Sequence, residues 1–383
     1  MDAPLVIVGT GFAGYALLRA LRQRDRQREI HLIGADEASA YSKDQLPAGL
    51  AHRRDADELV VATAEQMAYR FEATITPHRR VLAIDPANRV LRTDNPAQPE
   101  QAWSQLVLAT GADSVRPASV RGSAAASILT VGSLAEYAYL RSELAGRGRV
   151  AVIGGGIRGC ELAESLKRGG CEVTLLESDP KLLGGSVPAL CAERIANALA
   201  TAGVRIRIED GVQRIDQGMG ELHVTTLGGK PLTVDVVVAA LGARPRVQLA
   251  RAAGLDVAAG IVVDAALRSS AEAIHSLGGC AEFDGRVFAL GDDIEAGAQV
   301  LVDVLAGHGA RMRWKARVRR LNLDCCAVAI CEPPPVAGEW HESATARGVR
   351  GLFHDRTGAL RGFALVGDPA GESGSLLGRV ARP

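Results

Sequence analysis

The sequence predicts an α/β fold: two doubly wound, Rossmann-like dinucleotide-binding domains followed by a small C-terminal α+β domain. Three observations predict it. A strand–glycine turn–helix pattern occurs twice, as LVIVGTGFAGYALLRAL from Leu5 and as RVAVIGGGIRGCELAESL from Arg149. The strand of each copy is continuously apolar, as in a parallel sheet covered on both faces. Near residue 326 the character of the chain changes, with the Pro-rich EPPPVAGEW followed by two β-like runs.

Each copy carries G-x-G-x-x-G: Gly9, Gly11 and Gly14 in the first, Gly154, Gly156 and Gly159 in the second. The first glycine makes a tight turn, the second lets the backbone approach a pyrophosphate, and the third lets helix pack on strand. The helix N-terminus then offers N–H groups and its positive dipole end to the phosphates. One such motif is weak evidence, whereas two in a strand–turn–helix context are strong. Ala13, Leu17 and Leu21 fall at i, i+4 and i+8, which gives the first helix a buried stripe. Phe12 and Ala13 complete the first cradle; Ile157 and Arg158 sit inside the second, where Arg158 is expected to reach a nucleotide phosphate.

An acidic residue about 20 positions on should hold a ribose hydroxyl. The second copy has it, since CEVTLLESD ends its strand on Glu177. A carboxylate there accepts from the 2′-OH of NAD and repels the 2′-phosphate of NADP, so NADH is the expected ligand. In the first copy EIHLIGADE places Gly34 where the acid belongs and Asp36 two residues later.

Two further strands end in small-residue turns: LVLATGADSVRP, with Ala109, Thr110 and Gly111, and VVVAALGARPRVQ, with Gly242. They mark where the chain passes from one dinucleotide fold to the other. The expected first domain is discontinuous, residues 1–112 and 246–325, interrupted by a second at 113–245, with a cap at 326–383. Within the cap, VRGLFHDRTGALRGFALVGD reads as a hairpin turning at Asp355–Gly358.

Composition excludes more than it selects. Lys plus Arg and Asp plus Glu are 44 each in 383 residues, so net charge argues for no nucleic-acid partner. No apolar run approaches the roughly 20 residues of a membrane span, and no basic n-region precedes the first strand. Seven cysteines without a framework fit a reducing compartment, with the cytoplasm as the default.

The segments VIVGTGFAGY, AYSKDQL, VLATGA, VIGGGIRGCELA, GARPR, GIVVDAALRSS, CAEFDG and GFALVG resemble, in order, those of the rubredoxin reductases within the pyridine nucleotide–disulfide oxidoreductase superfamily. The resemblance implies FAD on the first domain, NADH on the second, and electrons delivered singly to a small acidic iron protein such as rubredoxin. It implies that Lys43, the Lys of the YSK motif, lies beside the flavin, and that Glu161 lies near nicotinamide and flavin. These two are the candidate catalytic residues. Residues 1–159 hold no cysteine, so the flavin-adjacent thiol pair of the disulfide reductases is missing.

Departures from the family pattern cluster at the expected flavin. Gly279 stands where the family has an Asp that bonds the FAD ribityl and pyrophosphate region. A hydrogen bond to a charged group is worth about 1.5–3 kcal/mol, hence one to two decades in affinity. Gly291–Asp292 is a look-alike ten residues on, but plain substitution at Gly279 is the preferred reading. Asp44 replaces a Pro, Pro47 replaces a Ser, and LNLDCCAVAIC replaces a Lys-Thr-Pro segment. Two alternatives therefore stand beside the reductase: a degenerate, non-catalytic nucleotide-binding relative with weak or no FAD, and an FAD-dependent NADH oxidase with another acceptor.

Outside the motifs, Arg311, Arg313, Lys315, Arg317 and Arg319 alternate, and a strand would put all five on one face. Such a face is either a charged edge strand or a docking surface for an acidic carrier. Cys325, Cys326 and Cys331 lack the second pair or His cluster of a zinc site, so packing is expected and no metal is assigned. Cys280, His31 and His275 are expected as ordinary strand or packing residues, and His341 and His354 have no evident partner.

Overall fold

The structure, a computed structural model, describes residues 3–381. Two compact units divide the chain: Met1–Ser42, Asp57–Asp113 and Ala243–Trp314 form one, and Lys43–Ala56, Ser114–Gly242 and Lys315–Pro383 the other.

The first unit is built on a parallel sheet in the order Ile274–Ser276, Gln105–Leu108, Leu5–Val8, Ile30–Ile33, Thr74–Thr76. Its apolar strands are continuous because both faces are covered. Leu5, Ile7 and Val107 pack with Leu17, Leu18, Leu301 and Leu305 from the helices Phe12–Arg24 and Gly291–Leu305. Val6, Val8, Leu106 and Leu108 pack on the other side with Trp103, Val247 and Ala250. The stripe Ala13, Leu17, Leu21 is buried throughout.

The second unit holds a parallel sheet ordered Arg205–Arg207, Glu172–Leu176, Arg149–Ile153, Val236–Ala239. One face meets the antiparallel strands Val212–Gln217, Leu222–Thr226 and Leu232–Val234 through Ile153, Leu176, Ile215, Val224 and Val237. Asp235 clamps one end of the sheet, accepting from the Arg149 backbone N–H and from its guanidinium at 2.6 Å. That guanidinium holds the Asp235 carboxyl down at about 2. The C-terminal residues add an antiparallel sheet ordered Arg319–Arg320, Val328–Cys331, Leu360–Gly367, Gly348–Asp355, Gly338–Thr345, around Phe363 and Leu365. The expected hairpin is present: Asp355 accepts from the Thr357 and Ala359 N–H groups, and Gly358 takes φ +81°.

The expected strand through Arg311–Arg319 is overturned. Residues 311–318 form no strand, and pairing starts only at Arg319–Arg320, against Ala329–Ile330. Side-chain anchoring wins over a ladder here. Met312 is buried, Trp314 Nε1 donates to the Phe283 carbonyl at 3.2 Å, and the Trp314 ring lies 4.9 Å from that of Phe288. Arg286 lies over that indole, 5.6 Å from its centroid, and these contacts give the segment a fixed path without a sheet.

His275 is 2 % exposed within strand Ile274–Ser276, and its Nδ1 has no hydrogen-bond partner. Burial, reinforced by the Arg268 charge, lowers its pKa from 6.5 to about 4. The folded state favours the neutral ring, so this stabilisation is complete above pH 6.5 and is lost as pH falls through about 4. Denaturant titrations across that window will show a shallower loss of stability in His275→Gln than in the parent.

Candidate functional sites: two glycine cradles

In the first cradle Gly9 adopts φ +121°, and a Cβ there would lie 2.2 Å from the Ala109 carbonyl oxygen. A Cβ on Gly14 would lie 2.0 Å from the Gly9 carbonyl oxygen, so only glycine lets this helix start so close to its strand. Gly11 has nothing within 4 Å of its Cβ position. The helix Phe12–Arg24 has no acidic residue in its first turn and no side chain capping it, which leaves its leading N–H groups suited to phosphate.

Around this turn the structure gathers most of the expected residues. Thr110 donates to the Arg246 carbonyl at 3.1 Å, and Gly111 takes φ +71°. Gly34 has a local reason to lack a side chain, because a Cβ would press on Thr10 Oγ1 at 2.4 Å. Asp36 instead accepts from Thr10 at 3.4 Å and from the Ala38 N–H at 3.1 Å. It also raises the pKa of Tyr15, second to the burial of that ring. Gly279 is not required by packing, since its Cβ position is 3.7 Å from Ala112 and 3.8 Å from Gly111. Its neighbour Gly278 is required, with φ +84° and a Cβ position 2.5 Å from Ala13. Sequence reasoning missed Gly278, although a doubled glycine beside the replaced Asp was the available signal.

The second cradle repeats the geometry. Gly154 has φ +102°, a Cβ on Gly159 would lie 1.7 Å from the Gly154 carbonyl oxygen, and Gly156 is open. Ile157 is buried at the head of helix Ile157–Arg168, while Gly242 turns at φ +87°. Glu177 reaches back to the turn: its Oε2 accepts from the Gly155 N–H at 2.6 Å and its Oε1 from the Asp179 N–H at 2.9 Å. Gly155 permits this, because its Cβ position is only 3.0 Å from Glu177 Oε2. The run of three glycines, of which the motif uses two, carried that information.

Arg158, expected on a nucleotide phosphate, lies among carboxylates in this structure. Its guanidinium pairs with the Asp44 carboxylate and lies 3.4 Å from Glu161 Oε2. Glu161 is 3 % exposed, and its Oε1 accepts from the Asn322 N–H at 3.0 Å. Asp44, which replaces a Pro of the family pattern, and Arg158 are thus partners of each other, and Lys43 precedes the first of them. Arg319 joins the group: burial lowers its pKa, with Arg158 adding to this and Glu161, Glu332 and Asp44 opposing. No spacing rule links these residues, so the sequence carried no signal for Arg319 or Asn322.

Chemically, the two cradles define a protein that holds two dinucleotides. Residues 3–314 match the pyridine nucleotide-disulphide oxidoreductase family, and residues 322–380 match the rubredoxin binding C-terminal domain. The chain belongs to the pyridine nucleotide-disulphide oxidoreductase family. It is 35 % identical over 376 residues to a rubredoxin-NAD(+) reductase of Alcanivorax borkumensis, covering 97 % of each chain. It is 31 % identical to that of Acinetobacter baylyi, covering 98 % of this chain and 97 % of the relative. Among solved structures, the covalent putidaredoxin reductase–putidaredoxin complex superimposes with a TM-score of 0.87 at 23 % identity, over 98 % of this chain and 92 % of that one, and shows the shared fold.

The two glycine positions separate folding from binding. Gly159→Ala inserts a methyl into the Gly154 carbonyl and will lower stability by at least about 1–3 kcal/mol. Gly156→Ala meets nothing and will cost under about 1 kcal/mol while obstructing a pyrophosphate. Thermal unfolding alongside nucleotide titration distinguishes the two.

Proposed function

We propose that this protein oxidises NADH and passes the electrons, through FAD, one at a time to a small acidic iron protein of the rubredoxin type. The observation that carries the reading is the union in one chain of two phosphate cradles with a C-terminal segment, 322–380, that matches a rubredoxin-binding domain. FAD, when bound, supplies the conversion between a two-electron hydride and single electrons.

The residues fit both nucleotides. Gly9, Gly11, Phe12, Ala13 and Gly14 would hold the FAD pyrophosphate, with Asp36, Ala109, Thr110, Gly111 and Gly279 around it. Gly154, Gly156, Ile157 and Gly242 would hold NADH. Glu177 keeps lone pairs free after its two backbone bonds, and these accept from the ribose 2′-OH; the same charge repels a 2′-phosphate. Glu161, bonded by the Asn322 N–H and paired with Arg158, would order the nicotinamide end, and Lys43 would contribute a cation toward the flavin. Exposed Arg311, Arg313 and Lys315 suit the steering of an acidic partner even though they share no strand. No described helix is long and apolar enough to cross a membrane, and the cytoplasm is the compartment this reading favours.

The visible spectrum tests the reading. The purified protein, alone or after incubation with FAD, will show flavin bands that bleach under anaerobic NADH; a colourless protein overturns it. NADPH will bleach the parent poorly, and Glu177→Ala will narrow the difference by about tenfold or more, the loss of about one charge-assisted bond. Gly279→Asp, whose Cβ meets only ordinary contacts, will tighten FAD by about one to two decades in a fluorescence titration. Turnover with an acidic iron protein will fall as salt rises, because steering between exposed charges is screened.

A further inference from the structure

Five of the seven thiols are buried: Cys160, Cys171, Cys191, Cys280 and Cys331. Cys325 and Cys326 alone are partly exposed, and they are neighbours in sequence with their sulfurs 4.0 Å apart. The loop that carries them is fastened by its backbone. The Asp324 N–H donates to Glu164 Oε2 at 2.9 Å and the Cys325 N–H to Glu164 Oε1 at 2.6 Å, where Glu164 is a 2 %-exposed carboxylate of helix Ile157–Arg168. Three residues earlier, the Asn322 N–H holds Glu161 of the same helix. Packing alone does not account for two adjacent, accessible sulfurs on an anchored loop.

We propose that Cys325 and Cys326 form a redox-modification site, a vicinal dithiol that a hydroperoxide closes into a disulfide. The two sulfurs are not equivalent. The Cys325 thiol donates toward Cys326 and keeps its proton, held by that bond, by burial and by the Glu164 charge. Receiving that bond, and with Arg194 nearby, Cys326 is lowered toward thiolate, against the opposing effects of burial and Glu164. Cys326 is therefore the attacking sulfur and Cys325 the resolving one.

The chemistry closes without further reactants. The Cys326 thiolate attacks one peroxide oxygen, an S–O bond forms, the O–O bond breaks and hydroxide leaves. Cys325 sulfur then attacks Cys326 sulfur; the S–S bond forms, the S–O bond breaks, and the departing oxygen takes the Cys325 proton. The hydroxide takes the proton that Cys326 released on ionising, so two thiols and one hydrogen peroxide give one disulfide and two waters, with two electrons passing from sulfur to oxygen. Consecutive Cα atoms are about 3.8 Å apart, closer than the ~4.4 Å at which unstrained disulfides begin. The closed ring is therefore strained and readily reopened by a free thiol.

The test treats the folded, full-length protein with hydrogen peroxide and alkylates what remains. Before peroxide, two thiols react in the native state. Afterwards neither reacts, the mass falls by two hydrogens, fragmentation places the loss at Cys325–Cys326, and dithiothreitol restores both. Cys325→Ser will leave a sulfenic acid on Cys326 that dimedone traps. Cys326→Ser will lose the Cys325 thiol about tenfold more slowly, since the protonated sulfur is the poor nucleophile. The wild-type mass measurement decides the matter even if a variant folds poorly. Both thiols still alkylatable after peroxide, or Cys326 carried to sulfinic acid with Cys325 intact, overturns the proposal.

Discussion

Both cradles depend on a single steric fact, the approach of the third glycine of each turn to the carbonyl of the first. At Gly14 and at Gly159 a methyl group would sit 2.0 Å and 1.7 Å from that oxygen. Helix and strand therefore close to a distance that only a missing side chain allows, and the helix presents its leading N–H groups just beyond the strand end. The rest of each cradle is arranged around that point. Gly278 crosses close over Ala13 in one, and Glu177 reaches back to the Gly155 N–H in the other.

A second constraint acts on charge. Glu161 and Glu164 are buried carboxylates on one helix, and a buried charge persists only when bonded. Backbone N–H groups of Asn322, Asp324 and Cys325 meet that need, so the segment that leads into the C-terminal sheet is ordered by the helix of the second cradle. Arg158 and Asp44 extend the arrangement to a surface pair. Their opposite charges, held together, leave the charge next to Glu161 balanced. Gly279 has no such partner in the fold, and nothing in its packing demands a glycine.

What was legible from residue order was local. A glycine turn, an apolar strand, a helical stripe and the Asp355–Gly358 hairpin each rest on contacts within a few residues, or on a periodicity that burial imposes. The alternating charges of 311–319 misled for the complementary reason. Alternation reports which residues avoid the core, but whether the backbone pairs as a strand was settled by Met312 and Trp314, which anchor to residues far away in sequence. Likewise Gly34, which looked like a lost ribose contact, is set by the crowding of Thr10.

By itself, then, the sequence determined the α/β class, the two cradles, the acid at Glu177 and the family resemblance, because those depend on short spacings and on the conformational demands of glycine. Only the tertiary structure decided that Arg158 turns to Asp44, that Glu164 fastens the Cys325–Cys326 loop, and that a Cβ at Gly279 meets no clash. Those are matters of proximity between residues tens to hundreds of positions apart, and no local pattern encodes such distances.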